Sequence, residues 1–135
     1  MLTKLENNKP VDYIIDESKR IILCGVPGAF TPGCTSRHLP GFIGGLEELK
    51  NKGIDKVVFV ATNDAYVMDA WNTHHGHPDI DCVSDMFGNY CESIGELSKD
   101  HSFGMRCNRF AVLIEDGKIV RKFENPFIEG VLGEL

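Results

Sequence analysis

At 135 residues the chain suits one domain with one core, and 42% hydrophobic against 25% charged residues sets it apart from disordered, collagenous and membrane-spanning compositions. The formal net charge of −6, with basic residues scattered among acids, argues against nucleic-acid and anionic-membrane partners. No stretch approaches the apolar length that spans a bilayer, and Met1 to Pro10 is polar, without the apolar centre of a secretory signal, so a cytoplasmic setting is expected.

Along the chain, Arg20 to Val26 is a short continuous apolar run that predicts a buried strand, and it enters the turn-rich stretch Pro27 to Gly33. From Cys34 to Lys52 the apolar positions Leu39, Phe42, Ile43, Leu46 and Leu49 recur at helical spacing, with Gly53 as a stop and Pro40 as an expected kink. Asp55 to Thr62 predicts a second buried strand, 64–72 a helix, Thr73 to Asp79 a surface loop and Ile80 to Ser84 a short third strand. Asn89 to Leu97 carries Tyr90, Ile94 and Leu97 on one stripe and predicts a third helix. Arg109 to Glu115 and Lys118 to Phe123 then predict a β-hairpin across Asp116-Gly117.

Alternating strands and helices closed by a hairpin predict an α/β chain: a mixed β-sheet flanked by helices with a C-terminal β-hairpin, an order that fits a thioredoxin-like fold. Residues 1–135 are read as a single domain, without repeats or linkers.

The cysteines are Cys24, Cys34, Cys82, Cys91 and Cys107, an odd and widely spaced set without a Cys-x-x-Cys pair, which argues against a zinc knuckle or a disulfide-stapled scaffold and for one reactive thiol among inert ones. A free thiol is only about 3% ionised at pH 7, so a nucleophile needs surroundings that favour the anion. Cys34 follows a strand, a loop and a Pro-Gly break, where the first turn of a helix points unpaired N–H groups at the side chain. Arg109 opens the penultimate strand and either brings a permanent positive charge to the same end of the sheet or forms a solvated surface ion pair. In Thr31-Pro32-Gly33-Cys34 a threonine stands where a dithiol oxidoreductase would carry its first cysteine. Its hydroxyl could accept a hydrogen bond from a hydroperoxide, donate one to a thiolate, or cap a helix.

Pro27-x-x-x-Thr31-x-x-Cys34, continuing to His38-Leu39-Pro40-Gly41-Phe42, resembles the active-site motif of the peroxiredoxins, with wording similar to their type II and peroxiredoxin-five-like branch. Asn63-Asp64-Ala65-Tyr66-Val67 with Trp71, and Gly104 to Phe110, extend the resemblance across about Val11 to Phe123. It implies that Cys34 is the peroxidatic cysteine, that Thr31 and Arg109 hydrogen-bond the peroxide oxygens, that Pro27 shields the sulfur from water, and that the backbone N–H of Cys34 and of Gly33 help bind the attacked oxygen. Hydrogen peroxide and alkyl hydroperoxides are the implied substrates, and glutathione, glutaredoxin or thioredoxin the implied reductants of a sulfenic acid on Cys34. A homodimer is implied, and no cofactor.

Animal members of that branch place a resolving cysteine close to the C-terminus, whereas Glu124 to Leu135 contains none, which favours recycling by an external thiol. The segment before Lys9 is short for the family's opening hairpin, leaving that sheet edge in question. Cys91, near a helix start, and Cys107, in the loop before Arg109, are expected to be partly exposed and are the candidates for a resolving role, while Cys82 and Cys24 fit core positions. His74, His75 and His77 with Asp79 are read as a solvated loop rather than a metal site, and no metal is expected. His38, one helical turn past Cys34, is read as structural, and Trp71 and Phe42 as core or dimer contact. Two other functions compete: a thiol relay or redox sensor, and a catalytically silent thioredoxin-like binding module.

Overall fold

The computed structural model describes residues 2–33, 37–75 and 79–135. It opens on a hairpin of β1 (Thr3–Glu6) and β2 (Lys9–Asp12), turning at Asn7 and Asn8, whose φ values of 51° and 64° suit a tight hairpin turn. The opening hairpin is thus present despite the short segment before Lys9, and it joins the sheet where Thr3 meets Ser84 of the strand Ile80–Ser84. Lys4 donates to the buried Asp81 carboxylate at 3.0 Å, and Tyr13, just after β2, donates to its other oxygen at 2.8 Å. Burial works to raise the Asp81 pKa, but these hydrogen bonds and the charges of Lys4 and Lys56 outweigh it and leave the carboxyl below its ordinary value.

The predicted apolar runs follow as β3 (Ile21–Gly25), β4 (Lys56–Ala61) and β5 (Ile80–Ser84), with β3 and β5 each parallel to β4. Every residue of β3 and β5 is buried, because both faces of the sheet are covered, and this is why β3 reads as continuously apolar rather than alternating, while β5 carries Asp81 and Ser84 buried with polar partners. On one face Ile22, Cys24, Val57, Phe59, Ile80 and Cys82 meet helices α1 (Leu39–Asn51) and α2 (Ala65–His75). On the other, Ile21, Leu23, Val58, Val60 and Val83 meet the short helix α3 (Asn89–Ser93) and the chain that follows it. Trp71 and Phe42, left between core and dimer contact, are both fully buried in the first cluster.

The irregularity expected at Pro40 falls directly before it. Pro40 lies in the first turn of α1, immediately after a π-helical turn at 37–38. Helix α2 runs to His75, so His74 and His75 end a helix instead of lying in a loop, while His77 falls outside the described residues. Helix α3 is a single turn that stops before Gly95, whose φ of 75° breaks it. Leu97, read as helical, begins β6 (Leu97–His101), which pairs with β7 (Gly104–Cys107) as a separate two-stranded sheet.

The hairpin predicted across Asp116-Gly117 is β8 (Phe110–Glu115) and β9 (Lys118–Lys122), with φ of 54° and 76° at the two turn residues. Strand β8 runs antiparallel to β3, completing the order β2-β1-β5-β4-β3-β8-β9. Gly25 is required where they meet: a Cβ there would lie 2.0 Å from a ring carbon of Phe110. The tail then forms an unforeseen helix α4 (Ile128–Glu134), packed against α1 through Ile128, whose side chain fills the space beside Gly41 and Gly45. No described helix is long and apolar enough to cross a membrane.

Candidate active site

The carboxyl end of β3 delivers residues 26–33 to the start of α1, and the loop is held by specific polar contacts. Val26 N–H donates to the Val60 carbonyl at 3.0 Å, and Ala29 N–H to the Asn63 side-chain oxygen at 2.9 Å. Phe30 takes a left-handed φ of 63° while its side chain stays half-exposed, a conformation that costs a bulky residue on the order of 1 kcal/mol. The next residue, Thr31, donates its hydroxyl to the Gly28 carbonyl at 2.6 Å. Its one proton is thus used inside the loop, leaving the oxygen lone pairs as acceptors. Pro32 and Gly33 are helical and exposed, Pro27 is half-buried, and Cys34 lies outside the described residues.

Arg109 stands one residue ahead of β8 and is half-buried, so it is not the solvated surface arginine that its place near a strand end allowed. A Cβ on Gly33 would lie 3.0 Å from its Nη2, which puts the guanidinium against the residue preceding Cys34. Its Nη1 is 2.9 Å from His38 Nδ1, and its Cζ lies 5.3 Å from the centre of the Phe127 ring.

His38 is fully buried, with Nε2 at 2.9 Å from the Pro126 carbonyl. A carbonyl can only accept, so Nε2 carries the proton and Nδ1 is the acceptor for Arg109. The ring must then be neutral. Burial, reinforced by the Arg109 charge and opposed by the Pro126 carbonyl, pushes the His38 pKa down to about 4. His38 thereby fixes one edge of the guanidinium without adding a competing positive charge.

Sequence reasoning missed four partners in this arrangement. Pro126 and Phe127 come from a tail read only for its lack of cysteine, although Asn-Pro-Phe ahead of Ile128, Val131 and Leu132 signalled a turn into an amphipathic helix. Arg106 donates from Nη1 to the Pro27 carbonyl at 3.3 Å and from Nε to the Phe103 carbonyl at 3.2 Å. Asn63 was noted only as part of the matched Asn63-Asp64 stretch.

The expectation for Cys91 and Cys107 is corrected. Neither is exposed; both are fully buried and are joined to each other in a disulfide across a Cα–Cα distance of 5.9 Å. They came together because β6 and β7 fold the chain back over α3, a pairing that local pattern does not announce. Asp85 lies beside them, but its two oxygens accept the N–H groups of Tyr90 and Cys91 at 3.1 and 2.8 Å, so these groups are engaged with one another. Cys24 and Cys82 are free and buried as expected. Burial pushes both thiols up, with Arg109 pulling Cys24 the other way and Asp81 adding to the rise at Cys82.

The family profile described as Redoxin matches residues 3–134. Peroxiredoxin-2D of Arabidopsis thaliana is 46% identical over 117 residues, covering 84% of this chain and 72% of the relative. Peroxiredoxin AHP1 of Chaetomium thermophilum is 38% identical over 117 residues, covering 83% of this chain and 65% of the relative. Among solved structures, reduced Prx3 of Vibrio vulnificus in complex with H2O2 superposes with a TM-score of 0.91 at 30% identity, covering 98% of this chain and 91% of that one. A thioredoxin-like mixed sheet, a threonine and an arginine gathered round the loop that leads to Cys34, and these likenesses agree: the chain belongs to the Redoxin family and, within it, to the peroxiredoxins, thiol peroxidases by activity.

Proposed function

We propose that the chain acts as a single domain that reduces hydrogen peroxide and alkyl hydroperoxides at Cys34. The observation that carries this reading is the Arg109 guanidinium against Gly33, fixed from behind by a neutral His38. A thiolate beside that permanent charge is favoured over the thiol, and Pro27 shields it from water. The thiolate attacks the terminal peroxide oxygen, the O–O bond breaks, and the departing alkoxide or hydroxide takes a proton to leave as alcohol or water, with Cys34 left as sulfenic acid.

Stabilisation must be aimed at charge that grows on the leaving oxygen, and Arg109 supplies N–H donors there, helped by the backbone N–H groups of Gly33 and Cys34 at the attacked oxygen. Thr31, with its proton given to Gly28, meets the hydroperoxide as an acceptor of its O–H. An external thiol, from glutathione with glutaredoxin or from thioredoxin, then attacks the sulfenic sulfur, releases water, and is displaced by a second thiol. Cys91 and Cys107 are not part of this cycle in the proposal, since each already holds the other out of reach of solvent.

The proposed setting is the cytoplasm and the proposed assembly a homodimer. Tyr66 and Met86 line one hollow of about 330 Å³, and Phe87 next to them is 72% exposed, apolar surface for a second copy to cover. Sedimentation velocity reads that state directly.

The experiment is stopped-flow consumption of hydrogen peroxide and an alkyl hydroperoxide by wild type and Cys34→Ser, with glutathione plus glutaredoxin or a thioredoxin system as electron source. Consumption far faster than a free thiol's, lost in Cys34→Ser, is expected. A wild-type rate no better than a free thiol's refutes the reading.

A further inference from the structure

We infer that the Cys91–Cys107 disulfide is a positioning element for the peroxidase site, clamping the Arg106-Cys107-Asn108-Arg109 segment so that its two arginines grip the 27–33 loop from opposite ends. The inference rests on Cys34 being the peroxide-reactive thiol.

Cys107 sits between the two arginines in sequence, and their side chains diverge in space. Arg106 reaches the Pro27 carbonyl and would lie 3.2 Å from a Cβ on Gly28, at the beginning of the loop. Arg109 reaches Gly33 and His38 at its end. Asn108 between them carries its carbonyl to within 2.8 Å of a Cβ on Gly25, where β3 passes into the loop. A shift of this tetrapeptide therefore moves both grips together.

The backbone holds this segment through the β6–β7 ladder on one side and, from Phe110 onward, through β8 on the other. Asn108 N–H donates to the Glu96 carbonyl at 2.8 Å and Glu96 N–H to the Cys91 carbonyl at 2.8 Å, a chain that leads back to the one-turn helix α3. The disulfide adds a covalent route to the same helix, spanning 16 residues of sequence. From Cys91 the path continues through its N–H to the buried Asp85, and from Asp85 N–H to the Ala61 carbonyl at the end of β4. The two arginines are thus tied to the centre of the sheet rather than to the exposed tip of the β6–β7 hairpin. A link that fixes donors in place before the peroxide arrives lowers the reorganisation needed at the moment of reaction.

Closing the link removes two electrons and two protons from the thiols; a hydroperoxide accepts them and becomes an alcohol and water. Once closed, the sulfurs are fully buried, which protects them from the thiols that recycle Cys34.

The test uses the whole chain in three forms: oxidised wild type, wild type prepared fully reduced, and Cys91→Ala/Cys107→Ala. Peptide mapping after alkylation establishes the link in each form, and circular dichroism establishes the fold. The readouts are the pH profile of Cys34 alkylation by iodoacetamide and the initial stopped-flow rate with hydrogen peroxide. The reduced wild type keeps the volume of both side chains, so it remains informative if the double variant folds poorly. Loss of the link is expected to move the alkylation midpoint toward higher pH and to slow peroxide reduction by roughly tenfold, an effect that loss of stability alone would not produce in protein that remains folded. An alkylation profile and rate unchanged between linked and unlinked protein would overturn the inference, as would the absence of the link from wild type oxidised by peroxide. If Cys34→Ser instead retains peroxide reduction, the assignment of Cys34 fails first and this inference falls with it.

Discussion

The parallel centre of the sheet and the segment from Asp85 to Arg109 serve the same site by opposite means. Strands β3, β4 and β5 are largely apolar, covered on both faces and continuous in register, so they hold the loop from beneath by packing. Residues 85–109 contain one helical turn, two short strands outside the main sheet and an exposed Phe103, and they hold the loop from above by a disulfide, a buried carboxylate and two arginines. Packing supplies stability without directional chemistry; the second region supplies direction with little packing of its own. Catalysis and stability should therefore separate when each is perturbed in turn.

The largest effect is expected at Arg109. Arg109→Ala should reduce the second-order rate with peroxide by on the order of 10²–10³, the scale seen when one preorganised donor is removed, while the melting temperature changes little. Arg109→Lys should recover only part of the rate, since an ammonium cannot span His38 and the loop as a planar fork does. Matching losses of rate and melting temperature would break the comparison.

The opposite outcome is expected in the centre of the sheet. Leu23 is fully buried, and Leu23→Ala should cost about 3 kcal/mol in denaturant unfolding, with the peroxide rate of the folded fraction close to wild type. A tenfold slower rate there would show that the core also sets the geometry of the loop.

His38 joins the two regions and sharpens the contrast through pH. Its pKa is near 4 in the folded chain against an ordinary 6.5, so between those values the unfolded state binds more protons. The contribution of its neutral form is complete above about pH 6.5 and is lost as pH falls toward 4, amounting to about 3 kcal/mol at the ordinary conversion of one pKa unit. In the folded chain protonation sets His38 against Arg109 only as pH falls through about 4, so the peroxide rate should fall there, below the window in which stability is lost. His38→Phe should remove both pH dependences while slowing the reaction at neutral pH, and unfolding curves from pH 4 to 7 alongside initial rates check this. A pH dependence that persists in His38→Phe would place the titrating group elsewhere.

Sequence alone determined what depends on neighbours along the chain. Apolar runs marked β3 and β4, a short β-rich stretch marked β5, Asp116-Gly117 marked the final hairpin, and Pro27-x-x-x-Thr31-x-x-Cys34 marked the candidate site, because each is a local pattern with a local cause. What joined these pieces was decided by tertiary structure. The Cys91–Cys107 pairing, the proton on His38 Nε2, the Pro126 carbonyl that holds it and the reach of Arg106 all depend on residues 16 to 88 positions apart being brought together. Burial then assigned their chemistry, since a side chain's partners and its distance from water follow from what folds over it and not from what precedes it in the chain.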